Sequence, residues 1–270
     1  MINKIGLIGY GKMGSSLVLG GIKSGAIRKE SMIVYDLDPE RISIAEKCGL
    51  QVANSLYELL GSDALILAVK PKDLPALLQD NRRALVEKSP LLISVVAGIT
   101  VKRMLSFLGN APLRIVRVMP NIAAAVNEAM SAFYANEFVT QDEVGFVESL
   151  LSGIGKSIRI ENEEDLDTIT GISGSGPAYF ALMIKILEEV AVEKGLREDV
   201  ARVLAAQTCR GAATMVLEEG HTPLELIKMV ASPGGTTEEA LRVMETKGFS
   251  EIVAEAISAA IEKSRKINQS

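Results

Sequence analysis

The chain has 270 residues, of which 48% are apolar, and its 34 acidic and 29 basic side chains give a formal net charge of −5. This length allows two domains with hydrophobic cores, and no apolar run approaches the roughly 20 residues of a membrane span. Lys and Arg are scattered and outnumbered by acids, which argues against a nucleic-acid-binding surface. We therefore expect a globular protein that binds neither nucleic acid nor membrane.

The N-terminal segment predicts a phosphate-binding turn. The apolar run Ile5–Ile8 ends in Gly9, Gly11 and Gly14, and apolar residues then recur at helical spacing. In such a strand, turn and helix, the first glycine permits the turn, the second lets a diphosphate approach the backbone, and the third lets helix pack on strand. The helix N-terminus offers free N–H groups to the anion. The segment therefore predicts a dinucleotide site.

Three further apolar runs predict a parallel sheet. A second strand, Met32–Tyr35, ends at Asp36. The run 64–69 is apolar throughout, as in a strand buried on both faces, and the runs 90–96 and 114–119, which are mostly apolar, are also expected to be buried strands. We expect an α/β fold, a Rossmann-type, doubly wound, mainly parallel sheet, with added strands near 131–134 and 157–160 around a helix over 141–151. Ligands bind outside the carboxyl ends of such strands.

The second half of the chain predicts helices only. The spacing predicts helices over 177–194, 198–219, 223–230, 236–246 and 250–266. We place the boundary in the acidic stretch 161–165, which gives a dinucleotide-binding domain over 1–162 and a helical domain over 163–270. The helix over 198–219 is apolar around nearly its whole circumference, so a partner chain is expected to cover it. We therefore predict an obligate homodimer, or a higher homo-oligomer, through the helical domain.

Two loops in the second half contain candidate site residues. In the loop over 173–179, Ser175 or Gly176 is expected to cap the next helix, or Ser175 contacts a ligand. In the loop over 232–237, Thr236 and Glu239 have the spacing of a capping box. Capping does not explain Gly234 and Gly235, which leave main-chain N–H groups bare beside a helix start. That arrangement predicts an anion site.

Residue types that usually carry metal or nucleophilic chemistry are scarce. The single histidine, His221, and the two distant cysteines, Cys48 and Cys209, argue against a zinc site, a Ser-His-Asp triad and a disulfide framework. The first strand begins almost at once, which leaves no room for a signal peptide. We expect a cytoplasmic protein with no metal.

Several motifs, in this order and spacing, closely resemble those of pyrroline-5-carboxylate reductase, the last enzyme of proline biosynthesis. The resemblance spans almost the whole chain, and its most specific motif is the last. It implies a Rossmann domain followed by a helical dimerisation domain. The motifs are the glycine turn, Ala68-Val69-Lys70-Pro71, Arg117-Val118-Met119-Pro120-Asn121, Ser173-Gly174-Ser175-Gly176-Pro177-Ala178-Tyr179 and Ser232-Pro233-Gly234-Gly235-Thr236-Thr237.

The resemblance implies a role for each motif in NAD(P)H-dependent reduction of the cyclic imine 1-pyrroline-5-carboxylate to L-proline. The diphosphate would contact Gly9, Gly11, Lys12, Met13 and Gly14. The adenosine side would be lined by Asn54, Ala68, Val69, Lys70 and Pro71. Asp36, the acid after the second strand, is expected at the adenosine ribose from its position after the glycine turn. The nicotinamide would be bordered by Ala97, Gly98, Met119, Pro120 and Asn121. The substrate would contact Ser175, Ser232, Gly234, Gly235, Thr236 and Thr237.

Thr237 is the implied catalytic residue, with its hydroxyl beside the imine nitrogen. A protonated imine is more electrophilic, so hydride transfer to its carbon needs orientation and a hydrogen-bond donor at nitrogen. A threonine hydroxyl is too weak an acid to supply the proton by itself at neutral pH. We therefore assign Thr237 orientation and hydrogen bonding, with the proton coming from the substrate iminium or from water.

The sequence departs from the family pattern at two places. Family members usually carry Asn-Thr-Pro after Met-Pro, whereas here Ile122 and Ala123 follow Asn121. Asp36 is the second departure, because many members prefer NADPH, and a carboxylate there binds ribose hydroxyls and repels a 2′-phosphate. We expect NADH, or both NADH and NADPH, as cofactor. Alternatively, Asp36 points to solvent, with Asp38 capping the helix that begins at Pro39.

Three other functions are alternatives to this one. A 3-hydroxyacid dehydrogenase would place a catalytic lysine where this chain has Phe180, which counts against that class. A regulatory protein that binds nucleotide without turnover is disfavoured by the complete loop over 232–237. Reduction of a related cyclic imine carboxylate stays open, because main-chain N–H groups that bind the carboxylate do not distinguish the size of the ring.

Overall fold

Eight strands form one sheet in the computed structural model, which describes residues 2–269. The strands are β1 (Ile5–Ile8), β2 (Met32–Tyr35), β3 (Gln51–Val52), β4 (Ala64–Leu67), β5 (Leu91–Ser94), β6 (Ile115–Met119), β7 (Ala129–Ala135) and β8 (Gly155–Arg159). Their order in the sheet is β3-β2-β1-β4-β5-β6-β7-β8. Every pairing is parallel except that of β6 with β7. The predicted doubly wound, mainly parallel sheet is confirmed.

The longer helices whose bounds were predicted lie within three residues of those bounds at each end. Three short helices, Leu74–Asp80, Arg82–Lys88 and Val101–Phe107, had no clear sequence pattern, since each has only seven residues. A π-helical turn, Thr170–Gly174, follows α7 directly. The helices are α1 (Lys12–Ser24), α2 (Pro39–Lys47), α3 (Leu74–Asp80), α4 (Arg82–Lys88), α5 (Val101–Phe107), α6 (Gln141–Ser152), α7 (Asp165–Ile169), α8 (Gly176–Glu193), α9 (Glu198–Glu218), α10 (Pro223–Val230), α11 (Thr236–Thr246) and α12 (Phe249–Gln269).

Both faces of the sheet are buried, which explains the continuous apolar runs. Successive strand residues point to opposite faces. Leu7 and Ile66 belong to one core cluster with residues of α1 and α6, while Ile8 and Leu65 belong to a second with residues of α3 and α5. The central strands are therefore apolar at nearly every position, and strands β1, β4 and β5 are buried throughout.

The chain divides into two compact units. The sheet unit comprises residues up to Gly174 together with those from Ile261 onward, and the helical unit is Ser175–Ala260. Helix α12 contributes to both. The domain boundary proposed from the sequence at residue 162 stays a prediction.

Helices α8 and α9 pack against each other but leave many apolar side chains exposed. On α8, Phe180 is 63% exposed, and on α9, Val203 is 66% and Leu204 is 53% exposed. Only Ala201 and Ala205 of α9 are buried in the single chain. Thus the apolar circumference of α9 is real, but the single chain covers little of it. Within residues 2–269, none of the helices combines the length and apolar character needed to cross a bilayer.

Candidate active site

The three glycines of the turn between β1 and α1 are required for different reasons. Gly9 has φ +99°, and a Cβ there would lie 2.6 Å from the Ala68 carbonyl oxygen. A Cβ at Gly14 would lie 2.1 Å from the Gly9 carbonyl oxygen, so α1 packs directly on the turn. A Cβ at Gly11 would meet no neighbouring atom of the described residues within 4 Å. The space before Gly11 is therefore open for a ligand to approach the backbone, as a diphosphate requires.

Tyr10, between the first two glycines, anchors this turn in the core. The residue is 1% exposed and packs with the apolar side chains on one face of the sheet. Burial raises the pKa of Tyr10 well above its ordinary value, and the neighbouring Cys48 thiol raises it further. The tyrosine therefore stays neutral and holds the turn through its ring.

Asp36 fastens the same turn to the end of β2. Its Oδ2 accepts a hydrogen bond from the Tyr10 N–H at 2.6 Å, and its Oδ1 accepts one from the Asp38 N–H at 2.9 Å. Asp38 in turn caps α2, because its Oδ1 accepts from the Glu40 N–H at 2.9 Å. The predicted Asp38 cap is confirmed. The Asp36 carboxylate is half-buried and belongs to the glycine turn rather than to solvent alone.

The start of α1 is available to an anion. Gly11 is its N-cap and carries no side chain, and the first turn holds no acid. Lys12 is exposed at the first helical position, and Met13 is half-buried beside it. The unpaired N–H groups of this turn, the helix dipole and the Lys12 charge all favour a negative group here.

The remaining residues predicted to hold the cofactor follow β3, β4, β5 and β6 at the same edge of the sheet. Register places Ile8, Leu67 and Ser94 side by side at the ends of their strands. After β3, the Asn54 N–H donates to Glu58 Oε1 at 3.1 Å, and after β4, Lys70 is exposed and precedes the short helical turn Pro71–Asp73. The structure thus brings one group together along this edge: Gly9, Gly11, Asp36, Asn54, Ala68, Val69, Lys70, Pro71, Ala97, Gly98, Met119, Pro120 and Asn121.

Asn121 ties the end of β6 to the π-helical turn. Its Oδ1 accepts from the Ala123 N–H at 3.2 Å, and its Nδ2 donates to the Ser173 carbonyl oxygen at 3.0 Å. Met119 also meets this turn, since a Cβ at Gly174 would lie 2.9 Å from Met119 Cε. Both the oxygen and the nitrogen of the Asn121 carboxamide are therefore bonded within the protein, which fixes the end of β6, where the nicotinamide is expected.

Sequence reasoning missed Ser173 as a member of this edge. Its Oγ is buried and makes no hydrogen bond among the described residues. π-helical turns occur frequently at functional sites. The Ser-Gly-Ser-Gly pattern indicated a helix start, but nothing in it distinguishes a π-helical turn from an ordinary cap.

The loop over 232–237 belongs to the helical unit and is shaped by its two glycines. Gly234 has φ +73°, and a Cβ at Gly235 would lie 2.7 Å from Ser232 Oγ. The Gly235 N–H donates to the Ser232 carbonyl oxygen at 3.0 Å. The Gly234 N–H donates to Glu238 Oε2 at 2.7 Å. One of the main-chain donors expected to be bare is thus taken by a carboxylate of the same chain.

The capping box predicted for Thr236 and Glu239 is wrong. Helix α11 begins at Thr236, with Gly235 as its N-cap, so the Thr236 side chain lies inside the helix and makes no cap. Glu239 pairs instead with Arg242 at 2.6 Å, and this guanidinium holds the pKa of Glu239 below its ordinary value. The first N–H groups of α11 are consequently left without a side-chain cap.

Ser175 and Thr237 are two of the four hydroxyl residues predicted for the substrate site, all of which lie in the helical unit. Ser175 is the N-cap of α8, but its side chain makes no capping hydrogen bond. Thr237 is half-buried at the second position of α11. Both hydroxyls therefore stay free of a capping role.

Metal-ligating side chains do not cluster in the part of the chain that the structure describes. No group of three or more His, Cys, Asp or Glu residues there could hold a metal ion. His221 lies 3.5 Å from a carboxylate oxygen of Glu219.

The sheet order, the glycine turn and the open start of α1 define a dinucleotide-binding protein of the doubly wound class. The chain is 36% identical to a pyrroline-5-carboxylate reductase of Escherichia coli over 272 aligned residues that span 100% of both chains. Residues 163–267 match the family described as pyrroline-5-carboxylate reductase dimerisation, and residues 4–98 match that described as NADP oxidoreductase coenzyme F420-dependent. The chain therefore belongs to the pyrroline-5-carboxylate reductase family.

Two solved structures are similar along the whole chain. A pyrroline-5-carboxylate reductase from Coxiella burnetii superposes with a TM-score of 0.94 at 32% identity and covers 100% of both chains. A pyrroline carboxylate reductase from Plasmodium falciparum, with NADP bound, has a TM-score of 0.86 at 31% identity over 98% of both chains.

Proposed function

We propose that this chain catalyses the NAD(P)H-dependent reduction of 1-pyrroline-5-carboxylate to L-proline, the last step of proline biosynthesis. The observation that carries the proposal is the match to the reductase family along the whole chain. The open space before Gly11 in the glycine turn agrees with it. The relatives bear the name of this activity, and both the dinucleotide loop and the loop over 232–237 are complete in this chain.

The sheet unit binds the dinucleotide. A bound reduced nicotinamide supplies the hydride for a C=N carbon. The diphosphate lies against Gly11 and the start of α1, where N–H groups and Lys12 neutralise its charge. The nicotinamide lies at the ends of β5 and β6, beside Gly98 and Met119.

The loop over 232–237 binds the substrate carboxylate through main-chain N–H groups at the start of α11. Thr237 donates a hydrogen bond to the imine nitrogen and orients the ring, while Ser175 adds a further polar contact. The Thr237 hydroxyl is too weakly acidic to protonate the imine. The proton therefore comes from the substrate iminium or from water.

The cofactor is NADH, or NADH and NADPH alike. Support comes from Asp36, whose half-buried carboxylate lies beside the glycine turn and would repel a 2′-phosphate. The Plasmodium falciparum structure was solved with NADP. Asp36 is therefore the residue on which a difference in preference rests.

The protein assembles as a homodimer, or as a larger homo-oligomer, through α8 and α9. Their exposed apolar side chains, among them Phe180, Ile186 and Val203, would lie in water in a single chain. Contiguous apolar surface of this kind marks a protein interface, and the helical region matches a family described by its dimerisation.

A direct assay of cofactor oxidation tests the proposal. NADH and NADPH oxidation are followed against a panel of five- and six-membered cyclic imine carboxylates, with proline identified as product. We expect turnover with 1-pyrroline-5-carboxylate, lost in Gly11→Ala and kept in Gly145→Ala, a glycine that also has open space around it. Dinucleotide binding without oxidation would favour the regulatory role, and turnover of the six-membered ring alone would change the substrate.

A further inference from the structure

The C-terminal end of α12, which belongs to the sheet unit, is held in place by a buried polar network. Asn268 Oδ1 accepts a hydrogen bond from Arg117 Nη2 at 3.1 Å, and Asn268 Nδ2 donates to Asp167 Oδ1. One turn earlier, Ser264 Oγ donates to the same Asp167 oxygen at 2.6 Å. Residues four apart lie on one face of a helix. One face of α12 is therefore directed at a carboxylate and a guanidinium of the sheet unit.

The charges in this network are buried. Arg117 is 6% exposed and Asp167 is 9% exposed. Arg117 Nη1 also donates to Glu163 Oε1 at 2.9 Å, and that oxygen accepts from the Val101 N–H at 2.8 Å. Removing one partner of a buried charge costs more than removing an exposed contact. The network is thus expected to hold its members in one arrangement.

Arg117 on β6 and the end of α12 both lie beside residues that are expected to border the nicotinamide. Arg117 is two residues before Met119 on β6, and so on the same side of the strand. On α12, the Ile267 side chain lies over Gly98, because a Cβ at Gly98 would come within 2.6 Å of Ile267 Cγ2. Gly98 itself has φ +76°. The end of α12 therefore contacts the turn after β5 and, through Asn268, holds β6.

We propose that Asn268 is a positioning residue for the nicotinamide end of the dinucleotide site. It acts through Arg117 and Asp167, while Ile267 supports the Gly98 turn. The inference rests on the proposed placement of the nicotinamide beside Gly98 and Met119. It assigns to the last residues of the chain a part in cofactor binding, far in sequence from the glycine turn.

Comparing NADH with ADP-ribose, which lacks the nicotinamide, tests this role. In the full-length protein, Asn268→Ala is expected to raise the Kd of NADH by about fivefold or more and to leave that of ADP-ribose unchanged. Ser264→Ala, which removes one of the hydrogen bonds to Asp167, has a smaller effect in the same direction. Arg265→Ala, exposed on the same turn, is the matched control and changes neither Kd.

The outcomes separate this inference from the proposed function. Equal weakening of NADH and ADP-ribose binding in Asn268→Ala would mean that the network is only structural, and unchanged binding of both would also overturn the inference. If Asn268→Ala does not fold, the ratio of the two Kd values in Ser264→Ala decides. A wild-type protein that binds NADH but does not reduce the imine contradicts the proposed function alone.

Discussion

The Tyr10 N–H donates a 2.6 Å hydrogen bond to Asp36, so the carboxylate at the end of β2 is part of the glycine turn itself. Asp36 has two roles, which one substitution can separate. As an acceptor it shapes the turn, and as an anion it disfavours a phosphate on the adenosine ribose.

Asp36→Asn should shift cofactor preference toward NADPH. The amide keeps an acceptor for the Tyr10 N–H but loses the charge, so the NADPH to NADH ratio of kcat/KM should rise about tenfold, or ~1.4 kcal/mol. Asp38→Asn, which alters the α2 cap, is the control and should leave the ratio unchanged. An unchanged ratio in Asp36→Asn would show that the carboxylate does not select the cofactor.

Glu238→Gln should lower KM for the imine carboxylate. Glu238 Oε2 accepts from the Gly234 N–H at 2.7 Å, where the substrate carboxylate is proposed to bind, so the two anions compete. The side chain is exposed, so the expected decrease is modest, about two- to fivefold. The control is Glu239→Gln, because Glu239 pairs with Arg242 and not with the loop. Steady-state kinetics of the two variants are compared. A higher KM in Glu238→Gln would mean that the carboxylate supports the loop rather than blocks it.

Thr237→Ala should lower kcat while Thr237→Ser restores most of it. Losing a hydrogen-bond donor at the reacting nitrogen is expected to reduce turnover about 10- to 100-fold. Thr246→Ala, at the other end of α11, removes a hydroxyl that bonds the Arg242 carbonyl oxygen and should have little effect. Full turnover in Thr237→Ala would remove the proposed role of this hydroxyl.

Val203→Glu should weaken self-association. The side chain is 66% exposed on α9, in the surface proposed as the interface, and a buried charge there would lack a partner. Light scattering at low micromolar concentration should give a smaller mass than for the wild type. Val86→Glu, on the 39% exposed Val86 of α4, should leave the mass unchanged. A wild-type monomer would contradict the proposed assembly.

Asp63→Asn should destabilise the fold at neutral pH but not in strong acid. The Asn3 and Lys4 N–H groups donate to Asp63 Oδ2 at 2.7 and 3.0 Å, and these bonds hold the Asp63 pKa below its ordinary value. A depressed folded pKa contributes stability above the unfolded pKa, and this stability is lost as pH falls through the folded pKa. Because Asp63 is exposed, thermal melting should shift by only about 1–3 °C at pH 7. An equal shift at pH 2 would contradict this account.

The central strands of the sheet could be predicted because a strand that is buried on both faces has mostly apolar residues along its whole length. Strands β1, β4, β5 and β6 each followed from a run that is wholly or mostly apolar, and the helices from α8 onward followed from their period and their glycine stops. The Thr236 cap failed because one residue decides whether a side chain lies before or inside a helix. Local patterns do not resolve that choice.

The contacts around the strand ends could not be predicted. Asn268 and Arg117 are 151 residues apart, and no local pattern pairs an asparagine near the C-terminus with a strand arginine. The bond between Glu238 and Gly234 likewise depends on how α11 begins. The roles of the cofactor and substrate residues, the domain boundary and the cytoplasmic location stay predictions.

Because the sheet unit includes residues from Ile261 onward, its polypeptide is not contiguous. During synthesis the ribosome makes α7 and its Asp167 before helices α8 to α11, so Asp167 gains its partners Ser264 and Asn268 only after those helices have been made. A fragment that stops after Gly174 would leave Asp167 without these two donors. The sheet unit is thus completed by a segment that is synthesised after the whole helical unit.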